Sequence, residues 1–124
     1  MARDLAKSTL ERFRRKLDEE RDRLVTLLRE IENEREEVRL TETSSDRSPD
    51  PNTAEGGSLA FEMEKELTIW QLHQDLLAQV EEALGRIDAG SYGTCEGCGS
   101  AIPVARLDAL PHTKLCVDCA SRIR

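Results

Sequence analysis

The stretch YGTCEGCGSAIPVARLDALPHTKLCVDC, Tyr92 to Cys119, holds all four cysteines of the 124-residue chain. They form two pairs, Cys95-x2-Cys98 and Cys116-x2-Cys119, with seventeen residues between them. Two residues between cysteines let one tight turn aim both sulfurs at one point, and the long spacer brings the two halves of a tetrahedron together. Gly93, Gly97 and Gly99 give those turns access to positive φ. Four thiolates fill the shell of a Zn2+ ion and leave no position for water or substrate, so the predicted site, Cys95, Cys98, Cys116 and Cys119, is structural. The alternatives are two disulfides or a redox CxxC. Disulfides suit exported chains, and the N-terminal MARDLAKSTLERFRRK has no apolar signal region. A thioredoxin-type motif would accompany a βαβ pattern, and none is visible. Large side chains are sparse around the cysteines, so a metal is expected to substitute for a core. Pro103 is expected to start a short helical turn over 104–109, closed before Pro111.

Upstream the pattern changes to charged helix. Leu10, Phe13, Leu17, Leu24, Leu27, Ile31 and Val38 recur at alternating three- and four-residue steps, with Glu20 and Glu34 in two seam slots. A narrow apolar seam with a solvated outer face predicts a coiled-coil helix over 4–42. The segment 43–58, rich in Ser, Pro, Asp and Gly, is a connecting loop. A second helix is expected over 59–88, with seam residues Met63, Trp70, Leu77, Val80, Leu84 and Ile87 and with Glu66 and His73 as polar members. Leu72, Leu76 and Ala83 widen that stripe. Gly90 reads as the residue that stops it. The simplest solution is a mainly α protein: an antiparallel coiled-coil hairpin over 1–90, with the loop as its tip, then a four-cysteine zinc finger over 91–124. Parallel homodimerisation of each helix is the alternative, disfavoured because two helices on one chain meet at high effective concentration.

Charge limits the partners. The net charge is −7. Residues 43–90 hold three Lys/Arg against ten Asp/Glu, whereas 1–42 and 91–124 nearly balance. That distribution argues against direct sequence-specific DNA binding, which needs a basic face, and for a partner with a positive surface. No apolar run of about 18 residues is present, so no membrane span is expected, and the chain reads as cytoplasmic.

The residues over Ile87–Cys119 resemble a family. The pattern G-x-Y-G-x-C-x-x-C-G, then I-P-x-x-R-L-x-A-x-P and L-C-x-x-C, following a coiled-coil hairpin, is similar to the DksA/TraR zinc-finger proteins. The middle stretch SPDPNTAEGGSLAFEMEKEL resembles the corresponding segment of the shorter members. The resemblance implies a non-catalytic transcription regulator that binds bacterial RNA polymerase and inserts its hairpin tip into the secondary channel. It implies that Asp46 and Asp50 are the tip acids, although Thr53 stands where the founding member's D-x-x-D-x-A pattern has an acid. The founding member's second helix is basic and helps bind ppGpp. No Lys or Arg lies between Lys65 and Arg86 here, so a ppGpp site is not expected. The functional alternatives are a Gre-like factor that stimulates transcript cleavage and a redox-sensing zinc protein.

Three further features have two readings each, and a fourth has one. His73 on the seam is a half-buried structural residue or a switch. Trp70 is core packing or a binding platform. Arg12, Arg14, Arg15 and Lys16 around Phe13 are a solvated heptad flank or a contact surface. Arg106, Lys114, Arg122 and Arg124 offset the charge of a four-thiolate zinc site. No nucleophile–base set, phosphate loop or open metal site is apparent.

Overall fold

The computed structural model describes residues 5–44 and 54–123. Among the described residues four helices follow one another: α1 (Lys7–Ser44), α2 (Ala54–Ala89), α3 (Val104–Ala109) and α4 (Val117–Arg122). Among the described residues the only extended pairing is one antiparallel bridge, Thr94 with Ala101. None of the helices is long and apolar enough to cross a membrane.

α1 contains neither Gly nor Pro, and its outer face carries one-turn ion pairs, including Arg23–Glu20 at 2.6 Å and Arg39–Glu36 at 2.7 Å. Each adds only a few tenths of a kcal/mol, so the helix depends on burying its seam. α2 begins at Ala54, ahead of the predicted Leu59, and takes in Gly56 and Gly57. Glycine is a weak helix former because its backbone loses the most conformational freedom, which is why these two positions read as loop in the sequence. α2 stops at a Schellman motif: Ser91 N–H donates to the Arg86 carbonyl at 2.9 Å and Gly90 N–H to that of Ile87 at 3.2 Å. Gly90 is at φ 80°, the left-handed conformation expected of it.

The chain divides into two compact units: Met1–Arg23 with Leu77–Arg124, and Leu24–Leu76. In the first, Phe13 and Leu17 of α1 and Val80, Ala83 and Leu84 of α2 are buried. Arg14 near the start of α1 lies 2.6 Å from Asp88 near the end of α2, which makes the pairing antiparallel. The cysteine segment belongs to this unit and adds Tyr92, Ile102 and Leu107 to its core.

The second unit carries the remaining turns of both helices. Leu24 and Leu28 are its buried side chains among the described residues. The predicted seam named Leu27, which is half-buried. At about 100° per residue Leu28 falls in the same sector as Phe13, Leu17 and Leu24, and Leu27 on its flank. Farther along, seam residues Val38 and Met63 are 55% and 54% exposed. Only polar Glu34 and Glu66 lie one turn back from them in the seam, too little apolar surface to close it there. The Trp70 ring nitrogen is buried without a hydrogen-bond partner.

Candidate metal centre

The cysteine segment folds as two knuckles held by backbone bonds. Cys95 N–H donates to the Ser100 carbonyl at 2.8 Å and Gly99 N–H to that of Cys95 at 2.9 Å, closing a turn around Cys95 and Cys98. Ile102 N–H reaches the Gly93 carbonyl at 2.8 Å, which continues the Thr94–Ala101 bridge. Glu96 N–H donates to the Lys114 carbonyl at 2.9 Å and joins this knuckle to the second. There Cys116 precedes α4 and Cys119 lies within it. α4 was not anticipated from sequence: six residues are too few for an apolar period to show.

Gly93 and Gly99 have φ 88° and 76°, as expected, but Gly97 is not in the positive-φ region. Its reason is space. A Cβ at Gly97 would lie 2.9 Å from Cys119 Sγ and 3.2 Å from Cys119 Cβ.

The four sulfurs converge. All lie within 4.8 Å of one another, and Cys98 Sγ and Cys116 Sγ are 3.8 Å apart. All four cysteines are free thiols, so neither disulfide alternative is formed. A tetrahedron with metal–sulfur bonds of about 2.3 Å has edges of about 3.8 Å, so the donor set fits Zn2+. Ionisation points the same way. The Cys116 backbone N–H, 3.3 Å from Cys95 Sγ, leads a set of amide bonds that pull the Cys95 thiol down to about 6. Donating its proton to the Cys95, Cys116 and Cys98 sulfurs pushes the Cys119 thiol up to about 12. Four crowded thiols cannot all ionise unaided, and a dication would let them do so. Cys95 is buried and Cys98 exposed, so the cluster lies at the edge of the module.

Neighbouring polar groups brace this arrangement. Arg106 Nε donates to the Leu115 carbonyl at 2.9 Å, fixing the chain just before Cys116. That is a more specific role than the charge compensation predicted for it. Arg86, to which the sequence assigns no role, has its side chain only 11% exposed. It donates to the His112 carbonyl at 3.2 Å and tethers the spacer to α2. Tyr92 donates its hydroxyl to the Pro111 carbonyl at 2.8 Å. Burial pushes the Tyr92 phenol up to about 12 and holds His112 below its ordinary value.

The basic cluster on α1 is largely engaged within the molecule. Arg12 and Lys16 lie 3.2 and 3.4 Å from Asp108, and Arg14 pairs with Asp88. The predicted tip acids, Asp46 and Asp50, lie outside the described residues.

Residues 90–124 match the family described as the prokaryotic dksA/traR C4-type zinc finger. The chain is 34% identical over 118 residues to an uncharacterized protein of Aquifex aeolicus, covering 94% of this chain and 77% of that one. It is 29% identical over 113 residues to the RNA polymerase-binding transcription factor DksA of Salmonella typhimurium, covering 91% of this chain but 65% of that protein. The chain therefore spans just under two thirds of that relative's length. Among solved structures, the transcription factor DksA2 of Pseudomonas aeruginosa superposes with a TM-score of 0.71 at 29% identity, over 94% of this chain and 83% of that one.

Proposed function

The chain belongs to the DksA/TraR zinc-finger family, and from that premise we propose that it is a transcription regulator that binds RNA polymerase and performs no chemistry itself. The observation that carries the reading is the chain-long similarity to DksA, in which helices and cysteine module match together instead of the module alone. The thiol cluster holds one structural Zn2+ through Cys95, Cys98, Cys116 and Cys119. A filled four-sulfur shell offers no open coordination position, so the metal's part is to fix the module on the helix ends.

The finer mechanism follows from charge. The segment between α1 and α2, carrying Asp46 and Asp50, enters the secondary channel of the polymerase. There its carboxylates bias promoter complexes by pairing with basic groups or perturbing a Mg2+ site. ppGpp is not required, since the α2 stretch Glu66–Gly85 carries no Lys or Arg to hold it. The protein then works in the cytoplasm, where the polymerase is.

Two measurements test this. The intact protein should be retained by immobilised core RNA polymerase and should alter run-off transcription. Asp46→Asn/Asp50→Asn should bind similarly but lose the effect on transcripts. Equal activity of the two forms removes the loop acids from the mechanism, and failure of the intact protein to bind removes the function.

A further inference from the structure

Formal charge divides unevenly between the two compact units. Residues 24–76 hold five Lys/Arg against thirteen Asp/Glu, a balance of −8. Residues 1–23 and 77–124 together hold thirteen against twelve, a balance of +1. The whole net acidity of the protein thus belongs to the unit built from the middle of the chain.

On that unit α2 leaves Phe61, Ile69 and Leu72 at 69%, 39% and 62% exposure. At about 100° per residue the three share one sector roughly 80° wide, with Phe61 and Leu72 about 20° apart and Ile69 at the edge that adjoins the seam. Single exposed apolar residues need no explanation, but three aligned on one helix face form a stripe. Glu62 borders it on one side, and Glu64 and Asp75 on the other. Among the described residues none of these acids has an ion-pair partner, and Asp75 is held only by Gln71 Nε2 at 3.0 Å.

Charge selects what can cover the stripe. A second copy would set one −8 unit against another. Nucleic acid and anionic membranes are repelled in the same way. We infer that the Phe61–Ile69–Leu72 stripe docks on an apolar patch rimmed by Lys and Arg on a protein partner, with the bordering carboxylates pairing at the rim. Resting on the function proposed above, that partner is RNA polymerase, and the stripe is an anchor separate from the loop acids. Apolar contact supplies the affinity, and the rim charges supply approach rate and orientation.

The test is titration of the fluorescently labelled full-length protein with core RNA polymerase at two salt concentrations. Phe61→Ser/Leu72→Ser should weaken Kd roughly tenfold or more, since burying a Phe or Leu accounts for at least that factor. Far-UV circular dichroism and bound metal should not change. Glu62→Gln/Glu64→Gln/Asp75→Asn, which leaves the apolar contacts intact, should weaken binding and flatten its salt dependence. If the intact protein binds and both variants bind equally well, the stripe is not the anchor, although the proposed function stands. If the intact protein does not bind polymerase, that function falls and this occupant with it. If sedimentation shows a dimer that Leu72→Ser dissociates, the stripe belongs to a second copy and the inference is overturned.

Discussion

The rings of Phe13 and Tyr92 meet with centroids 5.7 Å apart and planes tilted by 50°, joining α1 to the residue that opens the cysteine module. Neither ring is more than 2% exposed. Truncating a buried aromatic removes its transfer energy and leaves a cavity. Phe13→Ala should therefore cost about 3–5 kcal/mol in denaturant unfolding, and Phe13→Leu distinctly less. A loss below about 1 kcal/mol for the alanine variant would mean that the module does not rest on α1.

Ion pairs beside this contact should matter far less. Asp108 serves both Arg12 and Lys16, and Arg14 pairs with Asp88, but these side chains are 39–68% exposed. Exposed pairs contribute below about 1 kcal/mol, and salt screens them. Asp108→Asn should lower Tm slightly at low ionic strength and not at all near 1 M salt. Because Asp108 is shared, the effects of Arg12→Ala and Lys16→Ala should not add. A large salt-independent loss would contradict this ranking.

These two cases show what could be read from residues alone. The cysteine spacing determined which sulfurs converge, because two residues between thiols allow only one kind of turn. The +3/+4 steps located both helices, and Gly90 located the end of α2. Three-dimensional partners were not legible. Asp108 and Asp88 looked like ordinary surface acids until the fold placed them beside Arg12, Lys16 and Arg14. Arg86 gave no local signal, since its acceptor, the His112 carbonyl, lies 26 residues away. The choice of Leu28 over Leu27 came from the drift of a 3.6-residue turn against a 3.5-residue pattern.

Two titratable groups, the half-buried His112 and the buried Tyr92, make stability depend on pH at both ends. Burial holds His112 below its usual 6.5, with the Glu20 carboxylate only partly opposing. Its contribution is present above about 6.5 and is lost as pH falls through the lower folded value. Tyr92 is displaced from 10 to about 12, so its contribution is full below 10 and disappears as pH rises towards 12. At saturating zinc, His112→Gln should flatten the acid limb of a Tm–pH curve and Tyr92→Phe the alkaline limb. Unchanged limbs would mean that neither group titrates with folding.

Removing the metal should be more severe than any of these changes. Beyond Cys95, the module contributes only Tyr92, Ile102 and Leu107 as buried side chains among the described residues, too few to order its loops. Zinc bound to four thiolates contributes on the order of 10 kcal/mol. Chelation, or Cys95→Ser, should abolish the near-ultraviolet circular dichroism of Tyr92 and release one equivalent of zinc. Retention of that signal after complete metal loss would show that the module folds without it.

Gly97 offers the sharpest test of the metal centre, because its requirement is purely spatial. Its φ is ordinary, so alanine brings no backbone strain, but the added methyl would stand 2.9 Å from Cys119 Sγ and 3.4 Å from Leu115 Cδ2. A free thiol could swing aside. A sulfur held at about 2.3 Å from zinc cannot move without distorting the tetrahedron. Gly97→Ala should therefore weaken zinc binding by about 10- to 100-fold in competition with a chromophoric chelator, the range seen when the support of metal ligands is disturbed. Gly85→Ala is the control. Nothing lies within 4 Å of its added Cβ, and it sits inside α2, so zinc affinity should hold while helix stability rises by up to about 1 kcal/mol. Equal zinc affinity for Gly97→Ala and the intact protein would show that Cys119 is not a ligand in the geometry described.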